Sequence, residues 1–108
     1  MAKNLTESLL LDFYGELLTE KQQKALTLYY YEDLSLAEIA EEMNVSRQGV
    51  RAFIKQGEAH LAEFEEKLKL SEKFSKISAL TALIKEKIPE NQENTEILAI
   101  LSEIENNL

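Results

Sequence analysis

The stretch "SLAEIAEEMNVSRQGVRAFIKQG", residues 35–57, decides the fold. It reads as a short helix, a tight turn and a longer helix, which is the helix-turn-helix arrangement. Ser35 and Glu38 form a capping box that begins the first of the two helices. Asn44 stands where the chain must turn sharply, in a left-handed conformation that asparagine tolerates. Ser46 can cap the next helix, so the stretch predicts a helix-turn-helix motif.

The rest of the chain is also predicted to be helical. The 108 residues include only three glycines and one proline, and helix-forming residues dominate. Two helices are predicted before the motif, and Thr19 with Gln22 forms a capping box that begins the second of them. The apolar face of the first helix is predicted from Leu5, Leu9, Phe13 and Leu17, which are spaced four apart, with Leu10 and Tyr14 beside them. The fold class is therefore predicted to be all-α.

The second helix of the motif has no stop signal until about Ser71. Its apolar residues recur at spacings of four and three, which is a heptad-type seam. The seam consists of Val50, Ile54, Gly57, Leu61, Phe64 and Leu68. We expect the last two helices of the chain or a second copy to cover this seam. The residues assigned to an interface are Val50, Ile54, Leu61, Phe64 and Leu68.

Two further helices are predicted to form a hairpin at the C-terminal end. Ser71 begins the first of them and Pro89 ends it. Its inward residues are predicted to be Phe74, Ile77, Leu80, Ile84 and Ile88. We predict one domain over residues 1–108, with a head over residues 1–60. Residues 61–108, which extend the long helix and add the hairpin, are predicted to mediate dimerisation.

Charge is distributed unevenly along the chain. A net charge of −8 argues against non-specific coating of nucleic acid. Residues 43–57 nevertheless contain three positive and no negative residues. Arg47, Arg51 and Lys55 follow one another at intervals of four, which puts them in one row on the helix. We expect this cationic row to lie away from the side of the helix that packs within the motif.

The row and its neighbours have the chemistry of a nucleic-acid contact. Arg47 and Arg51 can pair with guanine, and Gln48 with adenine. Ser46 and Lys55 can bind phosphate. These five residues are the predicted nucleic-acid-binding site. The alternative is that the cations are surface charges that pair with glutamates of neighbouring helices.

Other kinds of site find little support. His60 is the only histidine and there is no cysteine, so we expect no metal site, and we expect no cofactor. No phosphate loop or nucleophile motif is present, which predicts neither an enzyme nor a small-molecule substrate. The tyrosines at 29–31 could stack on bases, or pack half-buried with hydroxyls in water. The N-terminal "MAKNLTESLLLDF" is too short and polar for a signal peptide or membrane insertion, which predicts a cytoplasmic protein.

Two family resemblances extend this interpretation. From Leu18 to His60 the chain resembles the fourth region of bacterial sigma factors, the module that reads the −35 promoter element. Over nearly its whole length, through "LLDFYGELLTEKQ", "LYYYEDLSLAEIAEEMNVSRQGV" and "IKQGE", it resembles the YlxM family. These are small acidic helix-turn-helix proteins of Gram-positive bacteria, whose gene commonly neighbours those for the signal recognition particle GTPase and its receptor.

The YlxM resemblance implies an all-helical homodimer with a role in the signal recognition particle pathway. That role would be regulatory, or would involve contact with the RNA or the proteins of the particle. The resemblance makes Ser46, Arg47 and Gln48 the start of the recognition helix. A second hypothesis is a protein-protein interaction module without nucleic-acid contact, whose acidic surface attracts basic partners of the targeting machinery.

Overall fold

A computed structural model describes residues 5–108 and shows six α-helices and no strand in that range. The helices are α1 (Leu5–Tyr14), α2 (Glu20–Leu26), α3 (Leu36–Met43), α4 (Arg47–Leu68), α5 (Leu70–Lys87) and α6 (Thr95–Asn106). The all-α helix-turn-helix prediction is confirmed. Residues 1–4, the beginning of the stretch considered for a signal peptide, lie outside the described residues.

Side-chain caps set where the helices begin. The Thr19 hydroxyl accepts from Gln22 N at 3.2 Å, and the Gln22 side chain accepts from Thr19 N at 3.4 Å. The Ser35 and Glu38 pair makes the same reciprocal bonds at 3.1 and 2.9 Å. Both predicted capping boxes are confirmed. They satisfy backbone N–H groups that the first turn of a helix leaves without partners.

The chain divides into two compact units, Met1–Lys69 and Leu70–Leu108. The first is called unit 1 and the second unit 2 below. The division falls after Lys69 because α4 remains packed within unit 1 well beyond residue 60. Leu61 is fully buried, and the Tyr14 hydroxyl donates to Glu65 Oε1 at 2.6 Å. The organisation as a single domain stays a prediction.

The core of unit 1 forms where α4 packs against α1, α2 and α3. Its largest fully buried side chains are Tyr14, Leu26, Ile39, Val50 and Leu61. The first three helices therefore cover the first part of the α4 seam. We had expected the last two helices or a second copy to cover it. The interface assignment of the seam stays a prediction. Within one copy, the seam residues that a partner can reach are half-buried Phe64 and Leu68, which is 44% exposed.

The buried face of α1 agrees only in part with the predicted one, since Leu10 and Tyr14 are buried as predicted. Leu5, Leu9 and Leu17 are exposed, whereas Leu10 and Leu11 are buried. Three successive leucines at positions 9–11 give this helix two possible apolar faces, so spacing alone does not choose between them. Packing against α4 makes the choice.

Unit 2 is a hairpin in which α6 packs against α5. Thr81 and Leu101 are its buried residues. The prediction that Ile77, Leu80 and Ile84 point inward is wrong, because each is between 41% and 51% exposed. A single partner helix covers one stripe of α5, which leaves the other apolar stripe uncovered.

Candidate nucleic-acid interface

The turn between α3 and α4 holds the cationic row at the start of the longer helix. Asn44 adopts the left-handed conformation, with φ 57° and ψ 47°, as predicted. Val45 N donates to Ala40 O at 3.0 Å, which closes the turn. The Ser46 hydroxyl accepts from Gly49 N at 3.0 Å and caps α4. Arg47 is consequently the first residue of α4.

Apolar contacts hold α4 against the rest of the motif. Val50 and Ile54 are buried on its inner side, and Ile39 and Ala40 of α3 are buried as well. Phe53 is half-buried at the border of this contact. Since successive turns of a helix repeat the same face, this anchoring directs the residues on the other side toward solvent.

The three cations of the row are exposed and have no partner in the described part of the chain. Arg47, Arg51 and Lys55 form neither a hydrogen bond nor an ion pair with any of residues 5–108. Their four-residue spacing corresponds to about 6 Å along the helix axis. The alternative in which glutamates of neighbouring helices neutralise this row therefore does not occur among those residues.

The other two predicted contact residues lie beside the row. Gln48 is exposed, and its side chain makes no hydrogen bond within residues 5–108. The Ser46 hydroxyl is exposed too, and its oxygen caps the helix while its own proton stays free to be donated. The five residues thus share one end of α4, and their contact with nucleic acid stays a prediction.

Carboxylates further along α4 point to tyrosines of unit 1 instead of the row. The Tyr30 hydroxyl donates to Glu58 Oε1 at 3.1 Å, and the Tyr14 hydroxyl donates to Glu65. Burial and the neighbouring Glu58 raise the pKa of Tyr30 well above its ordinary value. Neither of these two carboxylates is paired with a cation of the row.

The tyrosines at 29–31 are engaged within unit 1. Tyr29 and Tyr30 are half-buried, with their rings edge to face at 5.1 Å. Tyr31 is more exposed, and its hydroxyl donates to Asp12 Oδ1. Burial and this hydrogen bond raise the pKa of Tyr31 to about 12. The half-buried packing that we expected is found for Tyr29 and Tyr30, and the hydroxyls of Tyr30 and Tyr31 each donate to a carboxylate.

No cluster of His, Asp or Glu suitable for a metal ion occurs within residues 5–108. His60 is exposed on α4, and its ring stacks on Phe64 at a centroid distance of 6.3 Å. No helix in the same range is long and apolar enough to cross a membrane.

Two lysines near the motif were not part of the predicted site. Lys21 and Lys24 of α2 line a cleft together with the turn residues Asn44 and Val45. Their sequence separation from the turn hides this proximity. Their spacing of three residues indicated only that both lysines lie on one face of a helix.

The fold and the exposed row at the start of the second motif helix define a helix-turn-helix protein. The model of the UPF0122 family, described as "Putative helix-turn-helix protein, YlxM / p13 like", matches residues 1–101. The chain belongs to this family, which confirms the YlxM resemblance. The family description refers to a helix-turn-helix protein and not to an enzyme.

Relatives in this family are similar over almost their entire length. The UPF0122 protein BH2485 of Halalkalibacterium halodurans is 48% identical over 103 residues, which cover 95% of this chain and 94% of the relative. The UPF0122 protein BCAH187_A3894 of Bacillus cereus strain AH187 is 46% identical over 106 residues, with 97% and 96% covered. A UPF0122 protein of Bacillus anthracis strain A0248 has the same identity and coverage.

Proposed function

We propose that this protein binds nucleic acid, DNA or RNA, through the start of α4 and acts as a regulatory protein. The contact residues are Ser46, Arg47, Gln48, Arg51 and Lys55. The observation that best supports the proposal is the cationic row, exposed and without partners among residues 5–108, directly after the helix-turn-helix turn. A second motif helix of this kind enters a groove with its N-terminal side chains toward the bases.

The two arginines can make a kind of contact that Lys55 cannot. A guanidinium group pairs bidentately with guanine or with a phosphate, whereas an ammonium group acts as a point charge. We therefore assign base contacts to Arg47 and Arg51 and a phosphate contact to Lys55. Gln48, which lies between the arginines, suits adenine.

One row of three cations gives weak binding. Even if all three cations met phosphates, a salt slope of about 0.9 per contact would cost one copy about sixfold in affinity for each doubling of salt. Useful binding at physiological salt requires more contacts. A homodimer provides them, because a symmetric pair carries two rows.

Unit 2 supports the proposal of a homodimer. Eight aliphatic side chains of unit 2 are between 40% and 51% exposed: Ile77, Leu80, Leu83, Ile84, Ile97, Ile100, Ile104 and Leu108. Together they expose an apolar surface on the order of several hundred Å², which is large for a monomer. We propose that the same face of a second copy covers it. Two hairpins would then bury both surfaces in one helical bundle.

We place this activity in the signal recognition particle pathway, and hence in the cytoplasm. Support comes from membership of the YlxM family, together with the gene neighbourhood that characterises that family. The RNA of the particle is then a candidate ligand. Contact with proteins of the particle is the corresponding candidate for protein partners.

The second candidate function is a protein-protein interaction module of the targeting machinery without nucleic-acid contact. The uncovered aliphatic face of unit 2 favours it, since such a face also suits a helix of another protein. The net charge of −8 favours basic partners. This candidate requires no role for the cationic row.

A binding experiment separates the two functions. Fluorescence anisotropy would measure affinity for a short duplex DNA and for an RNA hairpin at two salt concentrations. The double variant Arg47→Ala/Arg51→Ala is compared with Lys76→Ala/Lys87→Ala, which also removes two exposed cations. We expect the arginine variant to lose about tenfold or more in affinity, since one lost contact of about 1.4 kcal/mol has that effect. Equal affinities of both variants would contradict the proposed site.

A further inference from the structure

Beside the helix-turn-helix turn, unit 1 contains a cleft of about 420 Å³. It connects the start of α2 with the end of α3 and the turn. Its lining consists of Glu20, Lys21, Lys24, Glu42, Met43, Asn44 and Val45. The last of these residues immediately precedes Ser46, the cap of α4.

The two lysines of this cleft are free to meet an anion. Lys21 and Lys24 are exposed, and neither forms a hydrogen bond or an ion pair with any of residues 5–108. Glu20 and Glu42 line the same cleft, but neither makes an ion pair with these lysines. Each ammonium group thus keeps its three donors.

The cleft is close to the cationic row along the chain. Asn44 and Val45 belong to the cleft wall, while Arg47 lies only two residues after Val45 on the same backbone path. Cations from α2 and from α4 therefore flank one turn. In helix-turn-helix complexes the first helix of the motif crosses the sugar-phosphate backbone while the second enters the groove. Here the first motif helix is α3, and the lysines of α2 line the same cleft as Glu42 and Met43 at its end.

We propose that Lys21 and Lys24 contact the phosphate backbone of the nucleic acid that the start of α4 binds. This inference rests on the proposed function and adds two contacts to it. Contacts of this kind fix the register and orientation of the protein but carry no base preference. Glu20 and Glu42 would repel a phosphate inside the cleft. The contact is therefore made at the mouth of the cleft, by the flexible ends of the two lysines.

The test is the salt dependence of binding for Lys21→Gln/Lys24→Gln. Affinity is measured over a salt series for two duplex DNAs of unrelated sequence and for an RNA hairpin. Two phosphate contacts contribute about 1.8 to the slope of log affinity against log salt. We expect the slope to become less steep by about one to two. The affinity should also fall, and the factor should be similar for all the probes that the wild type binds.

The matched control is Lys76→Gln/Lys87→Gln, which makes the same charge change on α5 and should leave the slope unchanged. Folding of unit 1 is checked by tyrosine fluorescence. A wild-type slope in Lys21→Gln/Lys24→Gln, in a protein whose binding depends on Arg47 and Arg51, would overturn the inference and leave the proposed function intact. A loss confined to one sequence would also overturn it, because backbone contacts are independent of sequence. Absence of binding by the wild type to every probe would overturn both.

Discussion

Gly57 and Leu26 are in such close contact that a β-carbon on Gly57 would lie 2.5 Å from Cδ1 of Leu26. Both residues are buried, at the point where α4 packs against α2. Glycine permits this approach because it has no side chain. The absence of a side chain at Gly57 thus sets how closely α4, the helix that carries the cationic row, approaches α2.

We expect Gly57→Ala to destabilise unit 1 by about 1–3 kcal/mol, the usual cost of overpacking a core. Leu26 is fully buried and has little room to move. The clash should outweigh the gain of about 1 kcal/mol that alanine brings to a helix interior. Urea unfolding followed by tyrosine fluorescence measures this, because all four tyrosines, Tyr14 and those at 29–31, belong to unit 1 and the chain has no tryptophan.

Gly49→Ala is the control in the same helix. A β-carbon there would lie 3.3 Å from the Ser46 hydroxyl oxygen and 3.7 Å from Cβ of Val45. Both neighbours are at the surface or half-buried. This variant should be as stable as the wild type or up to about 1 kcal/mol more stable. Similar losses in both variants would contradict the account of the α2 and α4 crossing.

Glu7→Gln should stabilise the protein at neutral pH. Glu7 Oε2 is buried and has no hydrogen-bond partner among residues 5–108. Desolvation, followed by the nearby Glu58, raises the pKa of Glu7 above its ordinary value of 4.5. A carboxyl group with a raised folded-state pKa contributes stability below its unfolded-state pKa and loses it as the pH rises. Glutamine stays neutral, so the advantage of the variant should appear at neutral pH and vanish in acid.

Chemical denaturation at neutral pH and below pH 4.5 would check this expectation. Glu16→Gln is a suitable control, since Glu16 is exposed, and a change within about 0.5 kcal/mol is expected there. A neutral-pH loss of stability in Glu7→Gln would show that the ionised carboxylate is instead favourable.

Tyr31 should ionise late in an alkaline titration. Burial and the hydrogen bond to Asp12 raise its pKa to about 12, from an ordinary value of 10.0. Because the folded state holds this proton more tightly, the stability that it contributes is complete below pH 10 and is lost as the pH rises toward 12. Asp12→Asn removes the carboxylate and should lower the pKa of Tyr31 toward its ordinary value. Ultraviolet absorbance of tyrosinate measures the shift, and an unchanged titration curve in Asp12→Asn would contradict the assignment.

A charged residue on the uncovered face of unit 2 should prevent association. Leu80 is 51% exposed in the chain, so Leu80→Glu should leave the fold of the hairpin intact while placing a charge in the proposed dimer. Leu17→Glu is the control, at a similarly exposed leucine of unit 1. Analytical ultracentrifugation should give twice the chain mass of 12.4 kDa for wild type and control and a single chain for Leu80→Glu. A monomeric wild type would exclude the dimer.

Local signals in the sequence were sufficient for the starts of α2, α3 and α4 and for the turn, whereas α5 begins at Leu70 and not at the predicted Ser71. The Thr19 and Ser35 capping boxes, the left-handed Asn44 and the Ser46 cap depend on side chains within three residues of the backbone groups that they bind. Such contacts can be predicted without tertiary structure. The same signals placed the cationic row at the first turns of α4.

Packing partners could not be predicted in the same way. Periodicity showed that α1 and α5 have apolar stripes, but which stripe is buried depends on the helix that packs there. In α1, Leu10 is buried and Leu9 is not. In α5, the apolar stripe that contains Leu80 is exposed. The proximity of Lys24 to Asn44 is likewise a consequence of tertiary structure, since twenty residues of chain separate them.

The most direct test of the central claim is to map binding by amide chemical shifts in nuclear magnetic resonance. A short duplex DNA or an RNA hairpin is titrated into the isotopically labelled protein at low salt. The proposed site predicts saturable shifts that are largest from Ser46 to Lys55 and that are lost in Arg47→Ala/Arg51→Ala. Saturable binding that leaves these amides unchanged, or no binding of either nucleic acid, would contradict it.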